Sequence, residues 1–225
     1  MLDKVYRVER FGHEQEPVVV IDNFTSNFQA LRQDAASRSY QKLGPFYPGI
    51  RAQANPAFIN ERMPVLKEIL TDVFGFHNGA QLTECAYSLV TTARNDLTPI
   101  QRLPHYDGTD EGRLAFLHYL SPEKFGGTAF FRHKGTGFET ITDGRFQAYK
   151  SALEKETAEI GLPPQNYINQ SSRQFEMIGC IKAKPNRCIL YRGITLHSGQ
   201  IPDDLPLDTN PETGRLTINI FLSKD

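Results

Sequence analysis

From residue 81 onward, apolar and polar positions alternate with a period of two, in short runs separated by turn residues. That pattern predicts strands rather than helices. The runs TECAYSLVTT, GRLAFLHYL, TAFFRHK, FEMIGCIKA, RCILYRG and GRLTINIFL each read as one strand. The first 80 residues differ. A β-branched run at 16–22 predicts an entry strand, and a helix follows with Thr25 or Ser26 as its cap and Phe28, Leu31 and Ala35 at helical spacing. Residues 43–56, LGPFYPGIRAQANP, hold too many Pro and Gly for a regular element and read as an ordered loop. A second helix carries Met63, Leu66, Ile69, Leu70 and Val73 on one apolar stripe. A third, over 145–161, interrupts the strands with Phe146, Tyr149, Leu153 and Ile160 on one side. Helices first and many short strands afterwards predict a mainly β fold with flanking helices. The chain reads as one domain over 1–225: an N-terminal strand and supporting helices over 1–80, a core over 81–225, and a helical insertion at about 139–175.

The last strand sharpens this picture. In GRLTINIFL, alternation places Arg215, Thr217 and Asn219 on one face and Leu216, Ile218, Ile220 and Leu222 on the other. A polar row backed by an apolar row suits a barrel that encloses a polar pocket and is covered outside by helices. An arginine inside such a pocket needs an anion, and its planar fork matches a carboxylate; an arginine at a strand end reaching solvent fits the strand equally well. The net charge of −1 and pI of 6.6 give no reason to expect nucleic acid or an anionic membrane as partner. Cys85, Cys180 and Cys188 are odd in number, show no paired spacing and lie in apolar runs, so buried reduced thiols are expected. The N-terminal MLDKVYRVERFG has no apolar export region, and no run reaches the length of a membrane span; a cytoplasmic protein is expected.

The candidate chemistry starts at PHYDG, where His105 and Asp107 point the same way if the backbone is extended. Alone, such a pair is weak evidence. It gains weight from His197, which follows the strand RCILYRG between Gly193 and Gly199, two residues that permit close backbone approach. Two imidazoles and one carboxylate make the facial triad of non-haem Fe(II), with three adjacent positions left open for a chelating cosubstrate and dioxygen. A structural zinc site is instead closed by four protein ligands. Of the other histidines, His118 should face the far side of its strand and serve the core. His133 falls at a strand end, solvated or at the pocket mouth. His13 and His77 receive no role.

Taken together, His105-x-Asp107, His197 and Arg215 resemble the Fe(II)- and 2-oxoglutarate-dependent dioxygenases, most closely the prolyl-4-hydroxylase-like branch. GRLAFLHYLSPEKFGGTAFF is similar to that branch's strand, turn, double-glycine and strand segment. The resemblance implies that Tyr119 helps to hold the far carboxylate of 2-oxoglutarate. CAYSLV resembles the strand before the His-x-Asp, which implies a cosubstrate-facing tyrosine at Tyr87. AKPNRCILYRG resembles the turn and strand leading to the distal histidine, and VVVIDNF the family's entry strand. The nucleic-acid demethylase branch usually carries a second arginine six residues after the first; here that place holds Phe221. Halogenating relatives lack the carboxylate ligand, whereas Asp107 is present.

The resemblance implies a double-stranded β-helix (jelly-roll, cupin-like) core and an oxygenase that hydroxylates a small molecule, amino acid or peptide with release of succinate and CO2. His105, Asp107 and His197 would hold Fe(II). Arg215, Tyr119, Tyr87 and Thr217 would bind 2-oxoglutarate, and Arg132 and Tyr191 would line the substrate side. The segment 145–170 is expected to act as a lid. Two other classes remain: a cupin-like metalloenzyme that does not use 2-oxoglutarate, which has no need of Arg215, and a non-catalytic binding module, for which a buried carboxylate between two imidazoles is costly.

Overall fold

The computed structural model describes residues 5–225. Its elements run β1 (Arg7–Arg10), β2 (Pro17–Ile21), α1 (Phe28–Ala36), β3 (Gly49–Gln53), α2 (Met63–Asp72), β4 (Ala80–Val90), β5 (Arg113–Tyr119), β6 (Thr128–His133), α3 (Asp143–Ile160), β7 (Phe175–Ile181), β8 (Arg187–Arg192), β9 (His197–Gly199) and β10 (Leu216–Lys224). The strands form two antiparallel sheets, one of seven in the order β1-β2-β8-β5-β10-β4-β3 and one of three in the order β7-β6-β9.

Alternation along each strand builds the layers. Leu216, Ile218 and Ile220 of β10 join Leu114, Phe116, Leu31, Leu66 and Ile69 in a core between the large sheet and helices α1 and α2. The other face of the same sheet sends Ala115, Tyr119, Ile189, Tyr191 and Phe221 against Phe130 and Ile181 of the small sheet. The small sheet's outer face packs Phe131 and Phe175 against Tyr149 of α3. The result is four layers, helices on both outsides, with the space between the sheets reserved for a mixed polar and aromatic interior. No helix among the described residues is long and apolar enough to cross a membrane.

Three local expectations change. Residues 43–56 are not all loop: β3 lies inside them and pairs with β4 from Gly49↔Val90 to Gln53↔Ala86. Glycine is what permits the approach, because a Cβ at Gly49 would sit 1.9 Å from the Leu89 carbonyl oxygen. Helix α1 starts from Asn27, with neither Thr25 nor Ser26 as its cap. Thr25 instead donates to Glu61 at 2.8 Å. Of the cysteines, Cys188 is buried, Cys85 half-buried and Cys180 exposed, so burial holds for one of the three.

His118 is fully buried, as its place on β5 requires. Its ring packs against Phe24 and Phe58, and Nε2–H donates to Asn186 Oδ1 at 3.0 Å. Burial pushes it down to about 4. Below pH 6.5 the unfolded chain therefore takes up this proton before the folded one does, and stability falls as the pH drops from 6.5 towards 4. Urea unfolding of the metal-free protein is expected to show this loss. A His118→Phe variant, which keeps the ring but cannot titrate, is expected to lose part of the pH slope; an unchanged slope would exclude His118 as its source.

Candidate metal and cosubstrate site

His105 and Asp107 lie on an irregular stretch before β5 that is held by backbone pairing rather than by a sheet. His105 and His197 exchange both backbone hydrogen bonds at 2.8 Å, and the Asp107 N–H donates to the Gly193 carbonyl at 2.7 Å. Gly193 makes room here, since a Cβ would come as close as 3.3 Å to the Asp107 Cβ and crowd it by a few tenths of an ångström. These bonds bring the three ligand atoms of His105, Asp107 and His197 within 4.8 Å of one another. His197 Nε2 stands 3.5 Å from Asp107 Oδ2, and His105 Nε2 stands 4.0 Å from Asp107 Oδ1.

The tautomer of His197 follows from its surroundings. Its Nδ1–H donates to the Thr195 carbonyl at 2.9 Å, which leaves the Nε2 lone pair aimed at the cluster. Burial lowers both imidazoles to about 4, and for His105 the neighbouring His197 adds to this. His105 nevertheless keeps half of its side-chain surface open, so the cluster is reached from that side. Burial pushes the Asp107 carboxyl up, with His105, Arg113 and Arg51 opposing it. Two neutral imidazoles and a carboxylate short of compensation fit a divalent cation, and three ligands leave further coordination positions free.

Arg215, immediately before β10, is the second pole. The residue is buried, 6% exposed. Nε donates to the Phe125 carbonyl at 2.9 Å and Nη2 to the Gly127 carbonyl at 3.0 Å, and no carboxylate pairs with it among the described residues. The double glycine explains the two carbonyls, because a Cβ at Gly126 or Gly127 would meet the Gln200 or Ile181 carbonyl oxygen at 2.0 or 2.1 Å. The Cβ position of Gly199 lies 3.5 Å from Arg215 Nη2. Gly199 is two residues along β9 from His197, so the Arg215 guanidinium lies beside the strand that carries the third ligand of the cluster.

Thr217 and Tyr119 are register partners on the inner face. Tyr119 shares a 2.7 Å hydrogen bond with Thr128, and burial pushes its phenol up to about 12. Tyr191 is buried with its ring 4.8 Å from that of His197. Arg132, expected on the substrate side, is occupied by two carboxylates: it pairs with Glu139 at 2.6 Å and with Glu176 at 2.9 Å, and none of its hydrogen bonds or ion pairs among the described residues reaches the triad. His133 is neither solvated nor at a pocket mouth; it is buried and bonds Thr136 and Glu156, joining β6 to α3. A cavity of about 710 Å³ near the Gly193 turn is lined by Glu16, Arg192 and Lys224 among others, and no triad residue borders it.

Tyr87 is also corrected. It pairs with Ile218, not with Thr217, so its side chain joins the helix-side core. Its hydroxyl donates to Asp34 at 2.8 Å. Tyr87→Phe is expected to lower stability by about 1–2 kcal/mol for one hydrogen bond to a carboxylate, with 2-oxoglutarate affinity as in the wild type. A weakened cosubstrate affinity would return Tyr87 to the site. The residue facing inward at that level is Ser88, the register partner of both Thr217 and Arg51.

Sequence reasoning missed Ser88 and Tyr47. Both carry a buried hydroxyl without a hydrogen-bond partner. They stand close enough that Ser88, like Arg215 and Arg51, holds down a Tyr47 phenol that burial raises; their mutual geometry still falls short of a proper hydrogen bond. Unpartnered buried hydroxyls beside an arginine without a carboxylate mark a place built for an anion. The signal available beforehand was the unusual FYPGIRA and the inward alternation of Ser88.

Residues 3–222 match the model of a family described as a family of unknown function, DUF6445. The chain belongs to that family. No match to a curated protein was found. Among solved structures, the chain is similar to HygX from Streptomyces hygroscopicus with nickel and 2-oxoglutarate bound, at TM-score 0.54 and 12% identity over 93% of this chain and 84% of that one. HygX with nickel, 2-oxoglutarate and hygromycin B bound gives 0.51 at 12% over 93% and 84%. Its iron-bound form gives 0.50 at 12% over 93% and 83%. At this identity the likeness establishes a shared fold. This DUF6445 member thus combines that fold with a two-histidine, one-carboxylate cluster of its own.

Proposed function

We propose that this DUF6445 member is an Fe(II)- and 2-oxoglutarate-dependent oxygenase on a double-stranded β-helix, or jelly-roll, core. The observation that carries the reading is the pairing of the His105, Asp107 and His197 cluster with a buried, carboxylate-free Arg215 whose guanidinium lies beside Gly199, two residues along β9 from His197. HygX, whose fold is shared, holds nickel with 2-oxoglutarate in one crystal structure and iron in another. The strand, turn and double-glycine segment around Tyr119 favours the prolyl-4-hydroxylase-like branch.

In this reading His105, Asp107 and His197 hold the metal, which suits Fe(II) because one face stays open. When bound, the iron couples the decarboxylation of 2-oxoglutarate by dioxygen, giving succinate and CO2, to insertion of the second oxygen atom into a substrate C–H bond. The chain's own residues supply placement. Thr195 fixes the His197 tautomer. Arg215 binds the far carboxylate through its free edge, with Tyr47 and Ser88 donating to the same oxygens and Thr217 and Tyr119 walling the pocket. Tyr191 and Phe130 exclude water beside His197. Helix α3 buttresses the ligand loop through Tyr149 on Tyr106. The closing role expected of 145–170 therefore falls to the stretch after the helix, where the Tyr167 hydroxyl donates to the Thr92 carbonyl at 2.6 Å.

The test is succinate formation from 2-oxoglutarate, with Fe(II), dioxygen and an ascorbate-type two-electron reductant in place of substrate. Succinate that requires both Asp107 and Arg215 is expected. Metal binding with no 2-oxoglutarate-dependent product would favour the cupin-like metalloenzyme, and no metal binding would leave a binding module.

A further inference from the structure

Beside the cosubstrate pole lies a second charged group that the oxygenase reading does not use. Arg51, in the FYPGIRA stretch, points to the inner side of β3 in register with Ser88. Its guanidinium lies 4.4 Å over the Tyr47 ring and donates through Nη1 to Glu84 Oε1 at 2.9 Å. Arginine has five N–H donors arranged as forks, and here one edge is spent on Glu84 while the buried Nε has no partner. Glu84 is the more open of the two, 39% exposed against 17%, and its second oxygen has no hydrogen-bond partner among the described residues.

A chain of contacts leads from this pair to the metal cluster. Glu84 is the register partner of Phe221. Arg113 lies 4.3 Å over the Phe221 ring. The Arg113 side chain and Asp107 in turn flank the Gly193 Cβ position at 3.4 and 3.3 Å. Arg51 and Glu84 both act electrostatically on Asp107, in opposite senses, and Arg51 lies on the inner face in register with Ser88, the partner of Thr217.

We propose that Arg51 and Glu84 form the primary-substrate subsite and that the substrate is a free α-amino acid, its carboxylate on the free edge of Arg51 and its ammonium on Glu84. This rests on the oxygenase reading above. The ion pair leaves the buried Arg51 Nε without a hydrogen-bond partner, a donor that a bound carboxylate would satisfy. A doubly charged phosphate would be repelled by Glu84, whereas an amino acid satisfies the cation and the anion together, as a bidentate carboxylate and a charge-assisted ammonium contact. Its side chain is then carried towards the metal cluster.

The experiment uses the protein loaded anaerobically with Fe(II) and 2-oxoglutarate. The twenty free L-amino acids and their matched 2-hydroxy acids are titrated singly, reading the visible charge-transfer band and the melting temperature. At least one amino acid is expected to shift both, with its 2-hydroxy analogue weaker by about tenfold or more for want of the ammonium. Arg51→Met is expected to form the band with 2-oxoglutarate but to lose the amino-acid response by more than about tenfold. Glu84→Gln is expected to bring amino acid and hydroxy acid to within about threefold of each other. A wild-type band that no amino acid moves overturns the amino-acid subsite and leaves the cosubstrate reading standing. So does an Arg51→Met variant that keeps the response. Arg51→Met losing 2-oxoglutarate itself would reassign Arg51 to the cosubstrate and overturn the proposal. Absence of any band in the wild type overturns both readings together.

Discussion

Asp107→Ala is expected to lower Fe(II) affinity by more than about 100-fold, since replacing even an outer partner of a metal ligand commonly costs 10–100-fold. The carboxylate supplies the cluster's only formal negative charge. Without it, two neutral imidazoles 4.2 Å apart, centroid to centroid, remain to hold a dication. The same change is not expected to weaken the metal-free fold. Burial disfavours the Asp107 carboxylate, and its backbone N–H keeps its bond to Gly193 whatever the side chain. Melting curves separate the two effects. Fe(II) should raise the wild-type midpoint by preferential binding to the folded state and leave the variant's midpoint where it was. A variant that still gains stability from Fe(II) would place the metal elsewhere.

Arg215→Met is expected to weaken 2-oxoglutarate by about 30-fold or more in Kd. Truncating one partner of a buried charge pair costs about 2–5 kcal/mol, and each 1.4 kcal/mol is tenfold. The variant also frees the Phe125 and Gly127 carbonyls, so a loss of folding must be told apart from a loss of binding. Arg215→Lys makes the distinction: it keeps the charge and one donor to those carbonyls but not the planar fork. It is expected to fold and to bind 2-oxoglutarate more weakly than wild type and more tightly than Arg215→Met. Titration of each variant against melting temperature checks the order. Equal affinity in Arg215→Lys and wild type would show that charge alone matters there.

Much of this architecture was legible because strand alternation carries direction. GRLTINIFL announced both the helix-facing Leu216, Ile218 and Ile220 and the inward Arg215 and Thr217, and the layers follow from it. The same logic misled at Tyr87, where a motif outranked the register. Pairing with Ile218 puts Tyr87 with the helices and turns Ser88 inward. Strand β3 was hidden by Pro48 and Gly49, which read as breakers until the close pass over Leu89 shows why glycine is required. Strand β1 stayed invisible because Arg7, Val8 and Glu9 are largely solvated at a sheet edge and show no apolar face. Arg132 and His133 carried the right residue types, yet their partners Glu139, Glu176 and Glu156 lie 7 to 44 residues away, across turns and elements that no strand or helix period connects. Tyr47 was likewise out of reach, since its nearness to Arg215 arises only from tertiary folding.

The most direct single measurement is an anaerobic titration of 2-oxoglutarate into the Fe(II)-loaded wild-type protein, watching for the weak visible metal-to-ligand charge-transfer band of a chelated keto acid. A saturable band that is absent in Asp107→Ala and shifted to higher 2-oxoglutarate concentration in Arg215→Met is the predicted result. Bound Fe(II) with no band at any 2-oxoglutarate concentration would contradict it.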